Sequence, residues 1–243
     1  IGDSRQSRPD ALVIKSAGAA PMITNAAGLT GVTLAADETV VAGVTVDGAG
    51  LYGILALNDT GETWENIEIR DVEVRNSGYT GVRIESTSAG SRINNVTADG
   101  IRTTGNASNA DGIWVKADYG GEIGNVSVRD VYATGNTWGV YMSARDGGRI
   151  ETASLEDIQA DGNNRTGVQI DARYAGGVIE NLSLQNVRAS SNTEQGVRVF
   201  ALNDGRIVNL SLQDITTTGN TSYGTEVYAE TSALIDNVSL QDI

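Results

Sequence analysis

The sequence predicts an all-β chain wound as a parallel β-helix solenoid, with about eight rungs of roughly 28 residues and three strands in each. Three observations predict it. First, one phrase recurs: Asn-Val-Ser-Val-Arg-Asp-Val at 125–131, Asn-Leu-Ser-Leu-Gln-Asn-Val at 181–187, and close copies at 209–215 and 237–243. Looser copies begin at Asn66, Asn95 and Ala153, so successive starts lie 29, 30, 28, 28, 28 and 28 residues apart. Second, each unit holds short runs of alternating apolar and polar residues, which suit strands with one buried face. Third, apolar positions keep register from unit to unit. Ile93, Ile123, Ile150, Ile179, Ile207 and Ile235 form one column, and Val82, Ile113, Val140, Val168 and Val197 form another.

The elements follow in order along a unit such as 178–205. Leu182 and Leu184 alternate with Ser183 in the first strand. Val187 and Ala189 flank Arg188 in the second. The second strand runs into a turn marked by Asn76, Asn106, Asn136, Asn163, Asn192 and Asn220. Asn tolerates left-handed backbone, and a stacked column of Asn side chains bonds rung to rung. The third strand opens on Gly, as at Gly81, Gly112, Gly139, Gly167 and Gly196, and then alternates Val197, Val199 and Ala201 with Arg198 and Phe200. A loop of variable length follows, and it is the natural place to add function. No window carries apolar residues at helical spacing over three turns. With rungs about 4.8 Å apart, eight of them make a rod on the order of 35–40 Å long.

With its stacked strands and Asn column, the stretch from about residue 30 to 243 resembles the right-handed parallel β-helix proteins of the pectate-lyase-like superfamily. The resemblance leaves open polysaccharide lyases and hydrolases, phage tailspikes, adhesins and surface proteins. Pectate lyases use clustered acidic calcium ligands with a basic Arg or Lys, and polygalacturonases use adjacent aspartates with Gly-His-Gly. This chain has no Asp-Asp pair and no His.

Residues 1–30 break the repeat, hold both prolines (Pro9 and Pro21), and read as an atypical first rung or cap before one solenoid domain at 31–243. The chain reads as part of a longer one. Its last residues stop within a rung, which raises end-to-end self-association as an expectation. No apolar run approaches 18 residues, so no membrane insertion is expected.

Composition narrows the partners. The formal charge is −14, which disfavours nucleic acid and anionic membrane. Of 17 cations only Lys15 and Lys116 are Lys, and cysteine is absent. Acidic, Arg-rich, Cys-free composition resembles proteins of salt-loving archaea or their viruses. An ordinary acidic secreted protein is the plainer alternative.

Several columns invite a functional reading. Asp71, Asp130, Asp157, Asp214 and Asp242, with Asn186, share one repeat position. They read either as a line of Ca²⁺ ligands or as turn residues. The turn is favoured, because one carboxylate per rung lacks the six or more oxygens that calcium takes. No cofactor is therefore expected. Nine Asn-x-Ser/Thr sequons occur, but five occupy the repeat position, where glycans about 4.8 Å apart would collide. Asn58 and Asn164 are the acceptors that remain. The outward face of the third strand gives the candidate ligand surface: Trp114, Tyr141 and Phe200, joined by Tyr119 and Tyr174 from the loops. Its rings serve either glycan or protein contact, or simply stack on one another. Catalytic residues are not identifiable; carboxylate pairs such as Glu85 with Asp118, or Asp146 with Asp171, look no different from a solvated acidic surface.

The expected function is a non-enzymatic structural or adhesive rod, extracellular and exposed on a cell surface, filament or virion. Its partners would be other protein subunits or surface glycans. The alternative is a tailspike-like β-helix that binds or cleaves polysaccharide.

Overall fold

The computed structural model describes residues 13–15, 22–24, 28–106 and 110–243. They form a parallel β-solenoid of about seven turns, with no helix among the described residues. The expected eight rungs become seven turns because the eight stacked third strands bound seven intervals. Pro9, Pro21 and most of the expected N-terminal cap lie outside the described residues. Within that segment, Val13–Lys15 and Met22–Thr24 pair in parallel with 40–42 and 45–47.

Two parallel sheets make the walls. One, of eight strands, contains the third strand of every rung, including Val82–Thr87, Ile113–Asp118, Val140–Arg145, Val168–Arg173 and Val197–Leu202. The other, of 14 strands, contains the first and second strands. In three rungs these two merge into one 13-residue strand, as in Glu122–Thr134. The bend between them falls on Asp71, Asp130, Asp157, Asn186, Asp214 and Asp242, whose φ values lie between 49 and 55°. Asp and Asn reach this left-handed region more readily than most side chains, and Gly100 takes the same place at φ 65°. The Asp column is therefore turn chemistry.

The expected register holds. Ile93 pairs with Ile123, Ile123 with Ile150, Ile150 with Ile179, and Ile179 with Ile207. All five are fully buried. Burying one such side chain contributes about 1.5–3 kcal/mol, and each also fills space its stacked neighbours would otherwise leave empty. At Gly139 the backbones approach so closely that a Cβ would sit 2.6 Å from the Gly167 carbonyl oxygen, which explains why the third strand opens on glycine.

Buried amides tie the rungs at the second turn. Asn106, Asn163 and Asn192 donate Nδ2 to the Oδ1 of Asn136, Asn192 and Asn220 at 2.8, 3.1 and 3.1 Å. The same oxygens also accept the backbone N–H of the preceding Asn, at 2.8 Å for Asn163 to Asn192. Asn76 was expected in this ladder but lies one residue out of register. Ser77 fills the position and donates its N–H to Asn106 Oδ1 at 2.9 Å, while Asn76 is exposed and bonds Asp47. A second, exposed ladder joins Asn66 to Asn95 to Asn125, and Asn181 to Asn209 to Asn237. All but Asn66 are sequon asparagines, and their amides are engaged with one another.

Asn163→Ala removes the side chain that links the Asn136 and Asn192 rungs and leaves the buried Asn136 N–H without its acceptor. It should lower unfolding stability by about 1–3 kcal/mol. Chemical denaturation measures this, and a change below about 0.5 kcal/mol would show that the ladder carries little.

Candidate functional site

The third strands carry two outward columns past the same face. One runs Arg83, Trp114, Tyr141, Gln169, Arg198; its neighbour runs Glu85, Lys116, Ser143, Asp171, Phe200. A groove of about 360 Å³ opens over them. Trp114, Tyr141 and Phe200 line it, as expected from their spacing, and the unforeseen Trp138 joins them.

The rings stack along the solenoid. Trp114 and Tyr141 lie 5.3 Å apart at 11°, and Tyr141 and Trp138 lie 5.5 Å apart at 28°. The Arg83 guanidinium sits 4.4 Å from the Trp114 ring centre, and that of Arg165 4.6 Å from Trp138. The contacts thus form a continuous series, Arg83–Trp114–Tyr141–Trp138–Arg165, with a cation at each end. Cation–π contacts of this kind contribute about 0.5–2 kcal/mol each. The indole N–H groups reach the next rung: Trp114 donates to Ser143 Oγ and Trp138 to Gln169 Oε1, both at 3.1 Å. Tyr141 is 4 % exposed and Phe200 2 %. The ring faces are spent on one another, so the groove offers ring edges, not open faces. Of the two loop tyrosines expected in the patch, neither lines it. Tyr119 stands 65 % exposed on its loop, and Tyr174 is exposed with its ring 5.6 Å from the Arg173 guanidinium.

Polar groups dominate what remains. Arg145, Arg165, Arg173 and Arg198 all line the groove. Beneath them, Tyr141 donates its hydroxyl to Asp171 Oδ2 at 2.6 Å and accepts from Arg145 Nη2 and from Arg173 Nη2, the latter at 2.8 Å. Arg173 Nε lies 3.1 Å and Arg145 Nε 3.4 Å from Asp171 Oδ1. Burial pushes the Asp171 carboxyl above its ordinary value, although both guanidinium groups pull it back. A buried carboxylate held by two arginines fixes the guanidinium planes in place.

Asp111 is the odd member. It occupies the position before the third-strand glycine, between Thr80 one rung earlier and Trp138 one rung later, as the bonds from Gly81 N to Asp111 O and Gly112 N to Trp138 O show. It lines the groove, is 4 % exposed, and its Oδ1 has no hydrogen-bond partner. Thr80 Oγ1 beside it is likewise buried and unpartnered. Burial lifts the Asp111 carboxyl to about 7, and the charges of Arg83 and Arg145 oppose the rise.

The other expected residues fall elsewhere. Glu85 and Asp118 do meet, but across Lys116, whose Nζ lies 3.1 and 2.5 Å from them. That arrangement is an ion-pair cluster. Asp146 sits in a turn at φ 47°, whereas Asp171 is sealed under Tyr141, so these two do not form an open pair. Asn58 is corrected: it ends the strand Ile54–Asn58 on the inward column with Ser86, is fully buried, and donates to the carbonyls of Glu62 and Arg92 at 3.0 Å. It presents nothing for a glycan. Asn164 is exposed on its turn. No cluster of acidic residues with metal-binding geometry occurs among the described residues.

No family model matches the chain, and a search of curated proteins finds no match.

Asp111 has a consequence for stability. The folded chain holds its proton up to about pH 7, while the unfolded carboxyl gives it up near 3.8. Its contribution therefore favours folding below about pH 4, and is lost as pH rises to about 7 and above. The span corresponds to about 4 kcal/mol at most. Asp111→Asn should raise unfolding stability relative to the parent at pH 8 and change it little at pH 4. A pH-independent difference, measured by denaturant unfolding at both values, would contradict this assignment.

Proposed function

We propose that the chain is a non-enzymatic, extracellular adhesive rod that holds carbohydrate on its third-strand face. The groove of four arginines over buried aromatic rings, on a chain of formal charge −14, carries the reading. Such a cationic site is hard to account for as solubility or as packing. Its guanidinium groups are pre-set by Asp171, Glu194 and Glu226, which cuts the ordering cost of binding. The stacked rungs supply a stiff mount at fixed spacing. The repeating architecture favours an origin within the pectate-lyase-like β-helices. The sealed position of Asp171 and the ion pairing of Glu85 and Asp118 argue against the carboxylate pair that glycoside cleavage needs.

The acidic, Arg-rich surface supports work in concentrated salt. There, surface self-repulsion is screened to about 3 Å, while the half-buried groove charges are screened less.

Two measurements test the proposal. The protein should be retained on immobilised polysaccharide with no release of new reducing ends. Failure to bind any glycan would overturn the adhesive reading, and rising reducing ends the non-enzymatic one. Its unfolding midpoint should climb with NaCl into the molar range; a flat or falling midpoint would remove the salt-adapted reading.

A further inference from the structure

The arginines and the orphaned acid in the groove specify a ligand more narrowly than carbohydrate. Arg145 donates through Nε and Nη2 to Asp171 and Tyr141, Arg173 donates through Nη2 to Tyr141 while its buried Nε lies 3.1 Å from Asp171 without a hydrogen bond, and no protein group takes up their Nη1 donors among the described residues. Arg165 pairs only through Nε, with Glu194 at 2.8 Å, and is the most exposed cation of the group. Guanidinium groups held along one groove suit the oxygens of a carboxylate or sulfate. The same groove presents a buried acceptor without a donor, Asp111 Oδ1, beside the equally unpartnered Thr80 Oγ1. Leaving such groups unpaired costs about 1–3 kcal/mol each, a cost a bound hydroxyl would relieve. The ring faces are already stacked, so hydrogen bonds and charge, not ring stacking, must discriminate between ligands.

We propose that the groove is a subsite for a single anionic sugar unit, its carboxylate or sulfate on Arg145, Arg165 and Arg173 and a ring hydroxyl donating to Asp111. The inference rests on the carbohydrate reading above and refines it. The groove volume of about 360 Å³ is at the lower end of the range for small-molecule sites and fits one or two sugar rings.

Titration calorimetry on the full chain tests it with three probes of equal length: a glucuronate-containing oligosaccharide, a sulfated glucose oligomer and a neutral glucose oligomer. At least one acidic probe should bind at least tenfold tighter than the neutral one, and comparing the two acidic probes identifies which oxyanion is preferred. Arg165→Gln, at an exposed position that leaves the Tyr141–Asp171 network intact, should weaken the acidic probe about tenfold and leave the neutral one unchanged. Asp111→Ala should weaken both about tenfold, the effect of one lost hydrogen bond to a buried acceptor. Arg129→Gln, at an exposed pair with Asp99 on the other sheet, should change nothing. Equal binding of neutral and acidic probes, or acidic binding indifferent to Arg165→Gln, would overturn this inference and leave the carbohydrate reading standing. Absence of binding by all three, with polysaccharide retention also lost, would overturn both.

Discussion

The molecule depends on one constraint: each turn of backbone hydrogen-bonds to the next in parallel register, so every residue sits over its counterpart one repeat away. Parallel strands stand about 4.8 Å apart. That distance decides what each column can hold. Inside, β-branched and other aliphatic residues fill the column from Ile93 to Ile207 without gaps. At the second turn the spacing suits an amide bonding to the amide above it, and buried asparagines exploit this through both side-chain and backbone donors. Outside, stacked rings and arginines meet at 4.4–5.5 Å, a range that spans the rung rise.

The same constraint explains how a binding groove arises on a regular rod. A column is structurally silent while its residues match. It becomes a site where unlike residues interrupt it, as where Asp111 stands between Thr80 and Trp138. Asp111 breaks the rule that buried polar groups find partners, and Asp171 keeps it only by enlisting two arginines and a tyrosine. Departures from local consistency of this kind concentrate where a protein has something to do besides fold. Asp111 lines the groove, and Asp171 lies beneath the tyrosine and arginines that line it.

The architecture was legible in the sequence because translation along the rod copies the pattern. Register for the isoleucine column, the glycine opening of the third strand and the Asp bends followed from spacing alone. Placement failed where a side chain's environment depended on neighbours in other rungs. Asn76 looked like its counterparts, yet it lies over Gly105, one position short of the ladder, and Ser77 lies over Asn106. Asn58 looked like a loop sequon, yet lies on the inward column. Tyr119 and Tyr174 follow the third strand, but their backbones turn away at φ 48 and 59°. Arg198 was placed on the third strand, but Arg145, Arg165 and Arg173 were only counted in the charge, because they declare themselves only once the rungs are laid over one another. Trp138 and Asp111 had a readable signal that went unused: both directly precede the repeated glycine, where neighbouring rungs carry threonine or glutamine.

The absence of cysteine lets the stacking be measured directly. Thr97, Ser127, Ser154, Ser183 and Ser211 pair in succession and none is buried. Spin labels on cysteines placed in pairs along this column should report separations that grow linearly by about 4.8 Å per rung, reaching about 19 Å between positions 97 and 211. Separations that do not scale with the number of intervening rungs would contradict the stacked register and everything built on it.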